Sequence, residues 1–207
     1  MKTLADRLYA EDCILLYSFT MTVIESLRNL LKVLKFKPKF LIAECRNKCL
    51  TPFSDAIAYA NKLSEFGFDM STVRFISDVS IGYYMAHEDL DYKITKVFLG
   101  AGEGWKGCPP NQFWILNTVG TRLITHFARD FKVEVVVFAE SSKFSLETPP
   151  FERCKVGPDY KVNEEDPGLE KLLKYLNKNS FNDVAFQPVQ DRIPSEEIDI
   201  LITDKGS

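Results

Sequence analysis

The sequence predicts an α/β protein: a three-layer α/β/α, Rossmann-like arrangement around an open, mainly parallel sheet of six or seven strands. Apolar runs of strand length alternate with stretches of helical period along the chain, the pattern of repeated strand–helix–strand units. One such run, Val133 to Ala139, is interrupted only by Glu134 and reads as a buried strand. The 207 residues are 45% hydrophobic and 27% charged, enough for one domain with a sizeable core. We therefore expect a single domain over residues 1–207.

The elements follow in order. A short helix over 2–9, the residue of an N-terminal helical segment within 1–11, leads into a first strand over 13–17. Helix 19–35 places Val23, Leu27, Leu30, Leu31 and Leu34 on one face. A strand over 39–43 precedes Pro52, which suits the first position of a helix over 53–66 that Gly67 closes. Strand 73–76, helix 81–87 and strand 97–99 come next. The glycine- and proline-rich stretch 100–111 reads as a loop. Helix 113–130 and strand 133–138 complete another unit. Residues 141–166, with Pro149, Pro150 and Pro158, read as an irregular surface excursion. Helix 168–177, a short strand near 184–186 and a last strand over 198–203 end the chain. There is no internal repeat and no low-complexity tract.

Composition excludes several classes. Lys and Arg number 26 against 29 Asp and Glu, a net charge of -3, which lacks the concentrated positive footprint of a direct nucleic-acid binder. The first residues lack the apolar stretch of a signal peptide, and no run reaches bilayer-spanning length. A cytoplasmic protein, neither secreted nor in a membrane, is expected. Five cysteines in irregular spacing suit reduced thiols. Cys45 and Cys49 form a lone C-x-x-x-C without a second half, so no metal is expected. No G-x-G-x-x-G follows the first strand, so no dinucleotide cofactor is expected either.

In open parallel sheets, ligands bind beyond the carboxyl ends of the strands where strand order reverses. The residues to inspect are therefore Tyr17-Ser18, Glu44 to Arg46, Ser77-Asp78, Gly100 to Gly102 and Glu140 to Lys143. The first strand should lie beside the fourth, opening a crevice between them. Arg46 offers a guanidinium, which grips phosphate through two parallel hydrogen bonds and keeps its charge; the competing reading is a structural ion pair with Glu44 or another carboxylate. Ser18, Thr20 and Thr22 crowd a helix start, where free N–H groups attract anions; plain N-capping explains the same residues. Lys143 adds a second positive charge to the crevice or stands as a solvated lysine. Glu103, His87 and His126 carry less weight, and His126, between Ile124 and Phe127, reads as a packed or surface histidine.

Seven segments, five of them covering these strand ends, resemble a known superfamily. It joins the regulatory subunits of translation initiation factor 2B to methylthioribose-1-phosphate isomerase and ribose-1,5-bisphosphate isomerase. Ile14-Leu15-Leu16-Tyr17-Ser18-Phe19-Thr20 is similar to the family's "ILTHSYS", and Ala43-Glu44-Cys45-Arg46 to "ETRP". Phe75-Ile76-Ser77-Asp78 resembles "ITD", Leu99-Gly100-Ala101-Gly102 resembles "VGAD", and Asn117-Thr118-Val119-Gly120-Thr121 resembles "NKIGT". Ala139-Glu140-Ser141-Ser142-Lys143-Phe144 is close to the "AESFKF" of the initiation factor subunits, and Ile202-Thr203-Asp204-Lys205-Gly206 to "FTDLG". The segments stand in the family's order from about residue 12 to 206. The helical domain that usually precedes the first strand is reduced here to about ten residues, too few for a domain, and relatives continue beyond the position of Ser207.

The resemblance implies a phosphate-ester crevice lined by Ser18, Thr20, Arg46, Asn117 and Lys143. It also implies assembly, since relatives pair through this domain: a homodimer, with a further partner from the translation machinery. The departures bear on catalysis. In the isomerases a cysteine follows the first strand, an aspartate follows the fourth, and "NKIG" carries a phosphate-binding lysine. Here those positions are Ser18, Gly102 and Thr118. Serine is too weak an acid to replace a thiol without an activating base, and glycine has no side chain. The stretch 103–116 is also longer than in relatives and carries Trp105, Cys108, Pro109 and Pro110. The expected function is a non-catalytic regulatory or assembly protein with a vestigial or sensing sugar-phosphate crevice. The alternative is an aldose–ketose isomerase of phosphorylated ribose or methylthioribose, with Ser18 and Glu103 as fallback catalytic groups.

Overall fold

The computed structural model describes residues 4–45, 54–106, 113–145 and 190–205. Six parallel strands form the main sheet: β1 (Cys13–Leu16), β2 (Lys39–Ala43), β3 (Val73–Ile76), β4 (Lys96–Gly100), β7 (Glu134–Ala139) and β10 (Ile200–Thr203). Their order is β10-β7-β4-β1-β2-β3. Strand β1 pairs with both β2 and β4, so Leu15 lies level with Leu41 on one side and Val97 on the other. Strand order reverses at β1, and the crevice expected between the first and fourth strands has its required neighbours.

Every residue of β1 and of β4 is buried, as a sheet covered on both faces demands. Alternation divides them. Ile14, Leu16, Phe98, Val136 and Phe138 face a layer made by α1 (Met21–Val33) and α2 (Ser54–Glu65), through Val23, Ile24, Leu27, Tyr59 and Leu63. Cys13, Leu15, Tyr17, Val97, Leu99 and Val137 face the other layer. There α3 (Ile81–Ala86) and α4 (Thr121–Asp130) contribute Ile81, Met85, Ile124 and Ala128. Fully burying one side chain of this size is worth about 1.5–3 kcal/mol, so a charge at Ile24 or Leu27 would detach α1.

A second sheet of four strands completes that layer, in the order β8-β5-β6-β9. It comprises β5 (Glu103–Lys106), β6 (Phe113–Thr118), β8 (Phe144–Ser145) and β9 (Gln190–Pro194). Strand β6 is antiparallel to β5 and β9, and Ile115 and Ile193 face each other in the core.

This sheet corrects the sequence reading at three places. The helix expected over 113–130 is a strand to Thr118, a turn, and then α4 from Thr121. A continuous apolar run such as Phe113 to Leu116 does not distinguish strand from buried helix. The break falls at Gly120, whose φ of 95° is readily adopted only by glycine. Within the loop expected over 100–111, residues 103–106 pair with β6. Within the irregular excursion over 141–166, a 3-10 turn at Ser141–Lys143 leads into β8.

Smaller differences lie at the ends. The described part of the expected helix 2–9 is only a 3-10 turn, Leu4–Arg7, and the last strand begins at Ile200. The expected helix 168–177 and strand 184–186 lie outside the described residues. Among the described residues, no helix is long and apolar enough to cross a membrane, and no cluster of three or more His, Cys, Asp or Glu side chains is placed to hold a metal ion.

Candidate functional site

The carboxyl end of β1 is built around a strained residue. Ser18 has φ 57°, a left-handed conformation that costs a non-glycine residue about 1–3 kcal/mol and persists only where neighbours hold it. Four contacts hold it. The Tyr59 hydroxyl donates to the Ser18 carbonyl at 3.1 Å. The Phe19 N–H donates to Asp55 Oδ2 at 2.9 Å, and the Tyr17 hydroxyl to the Val119 carbonyl at 2.8 Å. Last, Ser18 Oγ lies 2.6 Å from Thr118 Oγ1, both residues being buried.

Thr118 is fixed in turn, since its carbonyl accepts from Thr121 Oγ1 at 2.6 Å, at the start of α4. The two hydroxyls thus tie the end of β1 to the end of β6. Each can donate or accept, so one hydroxyl donates to the other and the bond forms without a base. Among the described residues, no carboxylate or imidazole hydrogen-bonds Ser18 Oγ. Burial, reinforced by Cys45 and Asp78 nearby, pushes the Tyr17 phenol well above its usual range. It is a neutral donor at physiological pH, not a base.

Thr20 caps the N-terminus of α1 with extended backbone and makes no side-chain capping bond. Its side chain instead fills the space over Gly100, where any β-carbon would collide with its Cβ and Cγ2. The glycine at the end of β4 is therefore what lets the α1 N-terminus sit across the β1–β4 junction. Thr22 follows in the first turn of α1, half-buried.

Other expected site residues are distributed around this centre. Lys143 reaches the end of β4, donating from Nζ to the Ala101 carbonyl at 2.9 Å. Its charge lies beside the carboxyl end of β4. Asn117 precedes Thr118 on β6 and is buried, and its Nδ2 has no hydrogen-bond partner among the described residues. Consecutive strand side chains point to opposite faces, which separates its amide from the Thr118 hydroxyl. Gly102 is exposed and its N–H closes onto the Leu116 carbonyl at 2.8 Å. Glu103 lies on β5, with its backbone opposite Leu116. Arg46 lies outside the described residues. Just before it, Cys45 is left-handed at φ 53° and donates its N–H to Asp78 Oδ1 at 2.9 Å.

The histidines stand apart. His87 stacks on Tyr83 with ring centroids 4.0 Å apart. His126 is exposed, 3.4 Å from the buried Glu197 carboxylate, which also accepts from Thr125 Oγ1 at 2.7 Å. Sequence reasoning missed Tyr59 and Asp55, which brace the Ser18 turn from α2. The signal was there in part: Ala56, Tyr59 and Leu63 are spaced at 3 and 4 residues, so a helix there turns Tyr59 toward the sheet.

Comparison with known proteins gives a consistent picture. The model of the initiation factor 2 subunit family matches residues 1–207. A ribose 1,5-bisphosphate isomerase from Pyrococcus furiosus is 29% identical over 147 residues, which are 71% of this chain and 39% of that protein. The chain thus spans about two fifths of the length of this curated relative. The fold resembles the translation initiation factor eIF-2B from Pyrococcus horikoshii OT3 with a TM-score of 0.64 at 19% identity, covering 98% of this chain and 60% of that one. It also resembles a subunit in the tetrameric eIF2B-beta2-delta2 complex from C. thermophilum, with a TM-score of 0.58 at 19% identity, covering 98% of this chain and 52% of that one.

Proposed function

On the premise that this chain belongs to the initiation factor 2 subunit family, we propose that it is a non-catalytic regulatory or assembly protein. Its strand-end crevice is a vestigial or sensing site for a phosphate ester. The observation that carries this reading is the buried Ser18–Thr118 hydroxyl pair. It stands where the isomerases of the superfamily place a cysteine and a lysine. Two neutral hydroxyls bonded to each other supply neither a thiol acid nor a phosphate-holding charge. The remaining cations, Lys143 and Arg46, suit anion binding without proton transfer.

The reading extends to assembly. The neighbouring fold from C. thermophilum is part of a tetramer, and this protein acts through a homodimer and a further partner of the translation machinery, in the cytoplasm. The test has two arms. Calorimetry with ribose-1,5-bisphosphate should detect binding that Arg46→Ala weakens by about 1.5–3 kcal/mol, and light scattering at micromolar concentration should give a dimer mass. A monomer that binds no phosphate ester would overturn the proposal.

An isomerase of phosphorylated ribose is the second reading, and the likeness to the Pyrococcus furiosus enzyme favours it. It needs a recruited acid, and Glu103, one residue after Gly102, is the candidate.

A further inference from the structure

A second cleft lies at the opposite end of the strands of the main sheet, below the amino ends of β2 and β3. It has a volume of about 440 Å³ and is lined by the last turns of α1, by residues 34–38 with Phe40, and by residues 66–69 with Thr72. Its base is apolar: Phe40 and Phe68 are buried and meet edge to face, with ring centroids 5.6 Å apart. Two half-buried rings, Phe36 and Phe66, also line it. Its rim is cationic, carrying Arg28, Lys32, Lys35 and Lys37, all exposed.

The charge is not balanced locally. Asp69 is the one carboxylate of the lining, and it is already engaged. It accepts from the Ser71 hydroxyl at 2.6 Å and N–H at 3.0 Å, and pairs with Lys37 at 3.2 Å. Arg28 lies over the Phe66 ring at 4.8 Å, and Lys32 reaches only the neutral Asn29 side chain at 3.3 Å. Three cations are thus left without a carboxylate partner among the described residues. A cation in the last turn of a helix complements the macrodipole, which accounts for Lys32. It does not account for Lys35 and Lys37, beyond the end of α1, nor for their convergence with Arg28 on one cleft.

Concave sites of roughly this size hold small molecules, with an apolar lining for the body and a few polar groups for orientation. We propose that this cleft binds a small organic anion that joins a phosphate-type head to a flat apolar ring. The ring lies against Phe36 and Phe66, and the head meets Lys32, Lys35 and Arg28 at the rim. The site is separate from the strand-end crevice and does not depend on the function proposed for it.

The test is an amide NMR titration of the full chain with 1-naphthyl phosphate, compared with inorganic phosphate and with 1-naphthol. Naphthyl phosphate should bind at least about tenfold tighter than either part alone, because stacking and charge-assisted bonds act together. The shifted amides should be those of Phe36, Phe66 and Gly67. Lys35→Glu should weaken binding by about tenfold or more, and Lys35→Gln by less, with unchanged circular dichroism. Three results would overturn the inference: affinity no better than that of phosphate or naphthol, affinity unchanged in Lys35→Glu, or shifts confined to the Ser18 and Thr118 amides. The last would place the ligand in the other crevice.

Discussion

Ser18 Oγ and Thr118 Oγ1 lie 2.6 Å apart although 100 residues separate them in sequence. The bond joins the central strand of the main sheet to the second sheet, at the crevice end of both. Both residues are buried, so removing one hydroxyl leaves the other without its partner, which costs about 1–3 kcal/mol. Ser18→Ala and Thr118→Val should each lower stability by that order in urea denaturation. The double variant should cost less than the sum of the two, with a coupling of about 0.5–1.5 kcal/mol. Additive losses would mean that the hydroxyls are solvated separately and that the crevice is open.

Gly100→Ala tests how α1 is seated. A β-carbon there meets Thr20 Cβ at 2.9 Å and its Cγ2 closer still, and overpacking of this kind costs about 1–3 kcal/mol. Thr20→Gly removes the obstructing side chain while leaving an acceptable N-cap. Combined with Gly100→Ala, it should recover most of the lost stability. A Gly100→Ala protein as stable as the wild type would show that the helix shifts freely.

The main sheet was readable because its strands are apolar runs bounded by helical periods. The order that puts β1 beside β4 followed from the strand-end segments. The second sheet was not readable. Its strand β6 is an apolar run merging through Asn117-Thr118-Val119 into a helix with an amphipathic pattern, and only the left-handed Gly120 separates them. At the site, Ser18 and Thr118 were visible as departures from the superfamily pattern. Their mutual bond was not, because it arises from tertiary packing between two sheets. The role of Gly100 was equally hidden, since the side chain it accommodates belongs to another element.

Alkaline pH should destabilise the protein through its buried acids. Burial pushes the Cys13 thiol up from 9.0 to about 12 and raises the Tyr17 and Tyr59 phenols above their ordinary 10.0. In the unfolded chain these groups ionise near pH 9 to 10, while the folded protein keeps them protonated. Stability is therefore unaffected below about pH 9 and falls as pH rises from there toward 12. Each such group contributes a slope of up to about 1.4 kcal/mol per pH unit. Thermal melting followed from pH 7 to 11 should show a flat region and then a steep decline. Cys13→Ala should make the decline shallower above pH 9, and an unaltered slope would mean that the thiol already ionises in the fold.

The last prediction concerns catalysis, and it separates the two functional readings. Aldose–ketose isomerisation moves a proton between neighbouring carbons, so it needs one group to take the proton and another to steady the oxygen. General acid–base groups of this kind are typically worth ~10²–10⁴-fold each. Ser18 offers a hydroxyl already committed to Thr118, Gly102 offers none, and Thr118 holds no charge for a substrate phosphate. Wild-type protein should therefore show no turnover of ribose-1,5-bisphosphate or methylthioribose-1-phosphate above background in an NMR assay. Gly102 is exposed, so Gly102→Asp restores one side chain at little cost to folding, whereas Ser18→Cys restores the other while weakening the buried bond to Thr118. The double variant should gain slow turnover at most, because Thr118 still leaves the phosphate without its lysine. Robust wild-type turnover abolished by Glu103→Ala would replace the binding-protein reading with the enzyme. It would also place the acid on β5, one residue later than the superfamily pattern puts it.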